Sequence, residues 1–248
     1  MLKNILWVFT LFLLCNCNKK GVHDGDLPDG YIALSFDDRS VNNWYDHLGL
    51  LDSLGINATF YVCRYNELND REKAKLRIIQ SHGNEIGFHT RTHPDLVKMV
   101  ESKGLECVLK KEIIQGLEEF KRDGFSPVNF AYPYGRRNGD LDRALLSIFK
   151  SVRSTTPKQN HNTCMATYKS SGQVFSALPV DMRSWANEGM IEAMIQKAAE
   201  KHNCVFLYAH EIDNPAYSFN ISRERLIFIQ KMAKKYNVAF VTTNEMVQ

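Results

Sequence analysis

The chain has 248 residues, of which 44% are hydrophobic and 24% charged, an ordinary globular composition with enough length for one sizeable core. Its formal charge of +3 is dispersed along the sequence, which argues against nucleic acid or an acidic polymer as a partner. Six cysteines without a Cys-x-x-Cys pair argue against a structural zinc, and in a chain of this size Cys63, Cys107, Cys164 and Cys204 read as free, mostly buried thiols rather than a disulfide framework.

In chain order, Met1-Leu2-Lys3 precedes an apolar run from Ile5 to Leu14. That run falls well short of the roughly 20 residues a spanning helix needs, so it reads as an export leader. It ends in Leu14-Cys15-Asn16-Cys17, which is similar to a bacterial lipobox with Cys17 as the lipidated residue; a simple secretory signal is the alternative. Residues 18–30 are polar, with Gly21, Gly25, Pro28 and Gly30, and read as a tether, leaving 31–248 as the folded domain.

A strand is predicted over Tyr31 to Phe36, then an amphipathic helix carrying Trp44, Leu48, Leu51 and Leu54 and stopped by Gly55. Ala58 to Cys63 is the next strand and Asn69 to Ser81 the next helix, ending in His82-Gly83, where the histidine suits a structural cap. The third strand, Glu85 to Phe88, is followed by a long helix marked by Leu109, Ile113, Leu117 and Phe120 and closed by Gly124. Val128 to Tyr132 and Lys150 to Ser154 read as strands around a helix at Leu141 to Phe149; Thr155 to Gly172 has no regular pattern. A short strand at Phe175 to Val180, a helix marked by Ile191, Met194, Ile195 and Ala198, a strand at Val205 to Ala209, a helix at Arg223 to Tyr236 and a strand at Val238 to Val241 complete the chain. Such alternation implies a parallel sheet covered by helices, in a number of units that suits a barrel. Chemistry in these folds gathers at the C-terminal strand ends.

Polar residues do stand at those ends. His89 and His93, four apart, have metal-ligand spacing, but the residue after the first is Thr90, so the glutamate base of a zincin helix is absent. Asp37-Asp38 would repel unless a cation neutralised one of them; Asp38 as ligand and Asp37 as base divides the work, against the alternative of a helix N-cap. Tyr132-Pro133-Tyr134-Gly135 has the residues for an unusual turn that exposes a main-chain N–H. Asp181 and Trp185 offer a carboxylate and a large ring, and His210 another titratable group; His23, His47, His161 and His202 belong to no motif.

Taken in order, Ser35-Phe36-Asp37-Asp38, His89-Thr90-Arg91-Thr92-His93-Pro94, Tyr132-Pro133-Tyr134-Gly135, Asp181 with Trp185, and Leu207-Tyr208-Ala209-His210 resemble the motifs of the polysaccharide deacetylase family, the NodB-like carbohydrate esterases, over nearly all of the chain from Tyr31. The resemblance implies an α/β fold, a distorted (β/α) barrel of about seven parallel strands. It implies Asp38, His89 and His93 as ligands of a divalent metal, zinc first, with cobalt, nickel or manganese as others. Asp37 would be the general base and His210 the general acid, oriented by Asp181, with the Tyr134 N–H at the oxyanion. Tyr132 and Pro133 would line the substrate site, and Trp185 and Leu207 the acetyl methyl pocket. The implied reaction is removal of acetyl groups, N-acetyl before O-acetyl, from a polysaccharide or oligosaccharide, by a hydrolase acting on carbon–nitrogen bonds other than peptide bonds. Its partner would be an acetylated glycan, its membrane contact only the lipid anchor, and its location the bacterial cell envelope, otherwise the periplasm or the exterior.

One departure stands out. Many members carry an arginine two residues before the motif proline, paired with the base, and this chain has Ala131 there. Arg39, which with Ser40 replaces a usual glycine and proline, and Arg183 are the candidates to supply the missing cation. Two other readings stay open: an iron oxygenase, since Asp-His-His also holds iron, although those folds are usually all-β; and a sugar-binding envelope lipoprotein that has kept the cleft and lost catalysis.

Overall fold

The computed structural model describes residues 27–247 apart from 168, 170 and 171; the expected leader at 1–17, Cys17 and most of the tether lie outside the described residues. Eleven strands are formed among them: β1 Gly30–Asp38, β2 Thr59–Val62, β3 Glu85–Phe88, β4 Asn129–Ala131, β5 Ser151–Thr155, β6 Met165–Thr167, β7 Gln173–Pro179, β8 Asn203–Ala209, β9 Glu211–Ile212, β10 Asn220–Ile221 and β11 Val238–Phe240. Seven of them, β1, β2, β3, β4, β5, β7 and β8, pair in parallel in that order, and β8 returns to β1 along Tyr31–Cys204 to Phe36–Ala209. The expected barrel of seven parallel strands is therefore present and closed.

Its distortion has two sources. β7 meets β8 only at Leu178–Leu207 and Pro179–Tyr208, and the antiparallel β6 occupies the start of β8 instead. On the other side β1 is shared, with β11 along Gly30 to Ile32 and β2 along Ser35 to Asp38. The barrel strands are buried on both faces, as throughout β2, because helices cover the outside while side chains, among them the polar Ser35, Thr59, Ser151 and Arg153, fill the inside. Phe88 packs against Phe120 and Phe149 at ring separations of 5.6 and 5.7 Å, and Phe36 stacks on Phe60 at 5.2 Å. Each such fully buried side chain contributes about 1.5–3 kcal/mol.

Two expected helices are broken, and a short helix at Thr243–Met246 was not expected. The first breaks at His47 into Val41–Asp46 and Leu48–Leu54, and the long one divides into Leu96–Lys103, Leu105–Val108, a π-helical stretch Leu109–Ile114 and Gln115–Arg122. Asn69 caps Asp70–Ser81 through a capping box with Glu72, and His82 at its other end bonds Asp52 through Nδ1 at 2.8 Å, the structural role its position suggested. The short strands β6, β9 and β10 were not expected. Among the described residues no helix is long and apolar enough to cross a membrane, and the four cysteines are free.

Gly87 in β3 lies against the ring of Tyr61, so that a Cβ there would stand 2.5 Å from a ring carbon. Gly87→Ala is expected to cost about 1–3 kcal/mol by overpacking. Urea unfolding measures it; a loss below about 0.5 kcal/mol would mean that the Tyr61 ring moves aside freely.

Candidate metal centre

His89 leaves the end of β3 and is buried, and its Nδ1 donates to the Ala131 carbonyl at 2.8 Å. A carbonyl only accepts, so Nδ1 carries the proton and Nε2 is left with its lone pair, the form a metal requires. That Nε2 lies 3.6 Å from Oδ1 of Asp38, the last residue of β1, and Nε2 of His93 lies 3.2 Å from the same oxygen. The donor atoms of the three residues all fall within 4.8 Å of one another. Two imidazoles and a carboxylate are ordinary ligands of zinc and its neighbours, and three protein ligands are the number found in catalytic sites. Burial works to raise the pKa of Asp38, but the neighbouring imidazoles of His89, His93 and His210 together outweigh it and hold the carboxyl well below the usual range, so it is ionised and ready to bind a cation.

Bringing these groups together costs backbone strain. Asp38, Thr90, His93 and Tyr134 all have left-handed φ values, of 83°, 67°, 61° and 59°. Non-glycine residues there cost on the order of 1–3 kcal/mol each and persist only where the surroundings fix them. For the histidine loop those surroundings are visible. Thr90 Oγ1 accepts the His93 N–H at 3.0 Å, and buried Glu112 accepts Thr92 N–H and Oγ1–H at 2.9 and 2.8 Å while its carbonyl accepts the Arg91 N–H. Glu112 sits in the π-helical stretch, a deformation common near functional sites, and Glu119 on the next turns accepts Arg91 Nε at 2.8 Å.

Asp37, only 4% exposed, receives Nη2 of Arg153 at 2.6 and 2.5 Å from its two oxygens. Neither cation expected from the sequence is there: Arg39 pairs with Glu67 at the surface, and Arg183 donates to Ser218 at 3.1 Å. The sequence did carry a signal, since Arg153 is a lone arginine inside a predicted strand, where a charge is buried only with a partner.

His210 follows β8, and its Nδ1 lies 2.7 Å from Oδ2 of the buried Asp181, whose other oxygen accepts the His210 N–H at 3.2 Å. Trp44 Nε1 donates to the His210 carbonyl at 2.7 Å, fixing the backbone. Burial lowers the pKa of His210, but Asp181 more than offsets it, so the imidazole titrates above its ordinary value with Nε2 as the free nitrogen.

A cavity of about 250 Å³ is lined by Asp37, Asp38, His89, His93, Tyr134 and His210, together with Tyr132, Gly135, Thr155, Tyr208, Tyr217 and Phe219. A second, of about 510 Å³, shares Tyr208, His210 and Phe219 with it and contains Trp185. Trp185 thus lies beyond His210 rather than in the metal cavity. Leu207 lines neither and is wholly buried in the core, and Pro133 is buried in the turn, where its role is to shape the backbone. In that turn the N–H groups of Gly135 and Arg136 bond back to Tyr132 and Pro133, while the Tyr134 N–H meets no acceptor among the described residues. Gly135 is needed there, having φ 65° and a Cβ position only 2.1 Å from Thr155 Oγ1. Tyr217 and Phe219, between β9 and β10, had no motif to reveal them.

A family model described as polysaccharide deacetylase matches residues 24–148, half of the chain. A search of curated proteins finds no match. Among solved structures, the family 4 carbohydrate esterase of Streptomyces lividans in complex with acetate superposes with a TM-score of 0.59 at 18% identity, covering 86% of this chain and 92% of that one. The chitin deacetylase of Colletotrichum lindemuthianum gives 0.60 at 15%, covering 89% and 88%. The Xyl-CE4 domain of a multidomain xylanase from the hindgut metagenome of Trinervitermes trinervoides gives 0.59 at 18%, covering 88% and 89%. At these identities the likeness establishes the fold.

Replacing both His89 and His93 by Ala should abolish metal retention after dialysis while the protein stays folded. Elemental analysis reads this directly, and full occupancy in the double variant would remove the site.

Proposed function

Because the chain belongs to the polysaccharide deacetylase family, we propose that it is a metal-dependent hydrolase that removes acetyl groups, N-acetyl in preference to O-acetyl, from a polysaccharide or oligosaccharide and releases acetate. The observation that carries this reading is the convergence of Asp38, His89 and His93 on one cavity with Asp37 and His210 both in its wall.

A divalent metal held by Asp38, His89 and His93, zinc before cobalt, nickel or manganese, would polarise the acetyl carbonyl and lower the pKa of water. The remaining steps belong to the chain. Asp37, held by Arg153, accepts the proton of the attacking water. The Tyr134 N–H donates to the oxyanion as the carbonyl carbon becomes tetrahedral. His210, held by Asp181 in the tautomer that leaves Nε2 toward the cavity, gives its proton to the departing sugar nitrogen. Tyr132 stands in the cavity wall, its hydroxyl anchored on Asp142 at 2.9 Å. Trp185 in the adjoining cavity offers a ring to the glycan.

Ala131, which leaves the base without the family arginine, favours the sugar-binding alternative, and Arg153 against Asp37 weakens it. With the leader and Cys17 read as above, the enzyme would work in the cell envelope as a lipoprotein.

Asp37→Asn should keep metal and glycan affinity and lose about a hundred- to ten-thousand-fold in acetate release. An unchanged rate would exclude Asp37 as base. Since His210 must be protonated to act, activity falls as pH rises through its pKa; Asp181→Asn removes the anion that raises it, so the alkaline limb of the pH–kcat profile should move to lower pH. A limb that stays in place would detach Asp181 from His210.

A further inference from the structure

The family arginine missing at position 131 has a spatial counterpart one strand away. Ala131 of β4 and Arg153 of β5 are register partners, and such residues point to the same face of a parallel sheet, a few ångströms apart. Both are buried, and the side chain on that shared face reaches Asp37. We propose that Arg153 is a positioning residue for Asp37, supplying from β5 the contact that position 131 lacks. This rests on the deacetylase reading above.

Three features separate this arrangement from an ordinary buried ion pair. The guanidinium lies between two rings, its carbon 5.1 Å from the centroids of both Tyr61 and Tyr208, so it cannot swing. Tyr61 is itself fixed, by its hydroxyl on Thr243 Oγ1 at 3.1 Å and by the space that Gly87 leaves for its ring. Second, the hydrogen bonds that the guanidinium makes to side chains both run from Nη2 to Asp37, one to each carboxylate oxygen. Third, Tyr208 lines both cavities, so the group that holds the arginine is also a wall of the substrate space. The result is a carboxylate fixed in orientation beside Asp38, with its rotation about the side-chain bonds blocked by an immobile cation.

The test compares wild type, Arg153→Ala, Arg153→Lys and the relocated variant Arg153→Ala with Ala131→Arg. Acetate release from penta-N-acetyl-chitopentaose and from acetylated xylo-oligosaccharides is measured together with bound metal and the melting temperature of the metal-free protein. Arg153→Ala should lower kcat by about a hundredfold or more while KM changes less than about threefold and metal is retained. Relocating the arginine should recover at least about tenfold of kcat and part of the melting temperature. Arg153→Lys, which keeps the charge and loses the planar group, should fold with metal bound and a kcat reduced at least about tenfold; it carries the comparison if Arg153→Ala does not fold. Wild-type kcat in Arg153→Lys or Arg153→Ala, or a relocated variant that regains its melting temperature without regaining kcat, would overturn the proposal and leave Arg153 a structural residue. Absence of acetate release by metal-loaded wild type on every substrate would instead overturn the deacetylase reading, and the role of Arg153 with it.

Discussion

Two carboxylates in consecutive positions at the mouth of a barrel strand are the constraint around which this molecule is built. Carboxylates so placed repel one another, and the structure turns Asp37 and Asp38 to different partners. Asp38, rotated by its left-handed backbone, faces two imidazoles; Asp37 remains on the strand's inner face and meets a guanidinium. That division requires contributions from β1, β3 and β5, which is why a closed barrel suits it: every strand end opens on the same space.

Much of this was legible in the sequence because the period of apolar residues marks strands and helices, and strand ends mark the site. Asp37, Asp38, His89, His93, Tyr134 and His210 all come to one cavity. What the sequence concealed was lateral. The pairing of position 131 with position 153 is a fact of strand register, and no local pattern reports it. Arg39 and Arg183 were attractive because they adjoin motif residues, yet adjacency along a strand alternates faces, whereas register partners share one. Trp185 was similarly judged by its motif, and the turn after β7 carries it past His210 into the neighbouring cavity. The strands β6, β9 and β10 have two or three residues each, too few for a period to show.

The support for the site lies in residues without chemical function of their own. Glu112 satisfies a loop that contains two left-handed residues, and it can do so because a π-helical stretch reaims it. Tyr61 and Tyr208 clamp Arg153, Trp44 holds the His210 backbone, and Ala131, although it has no side chain to offer, fixes the tautomer of His89 through its carbonyl. Strain at the ligands is thus carried by hydrogen bonds and packing one layer out.

The register partnership of Ala131 and Arg153 also bears on how such a site can change over time. A lineage that moves the arginine from one strand to the other must pass through a chain with two arginines or with none. With two, a pair of guanidinium groups would crowd a space closed by Tyr61 and Tyr208; with none, Asp37 would stand buried beside Asp38 without a cation. Both intermediates are burdened, so the two arrangements form separate basins, and the order in which the two positions and the surrounding rings were exchanged is itself constrained by physics.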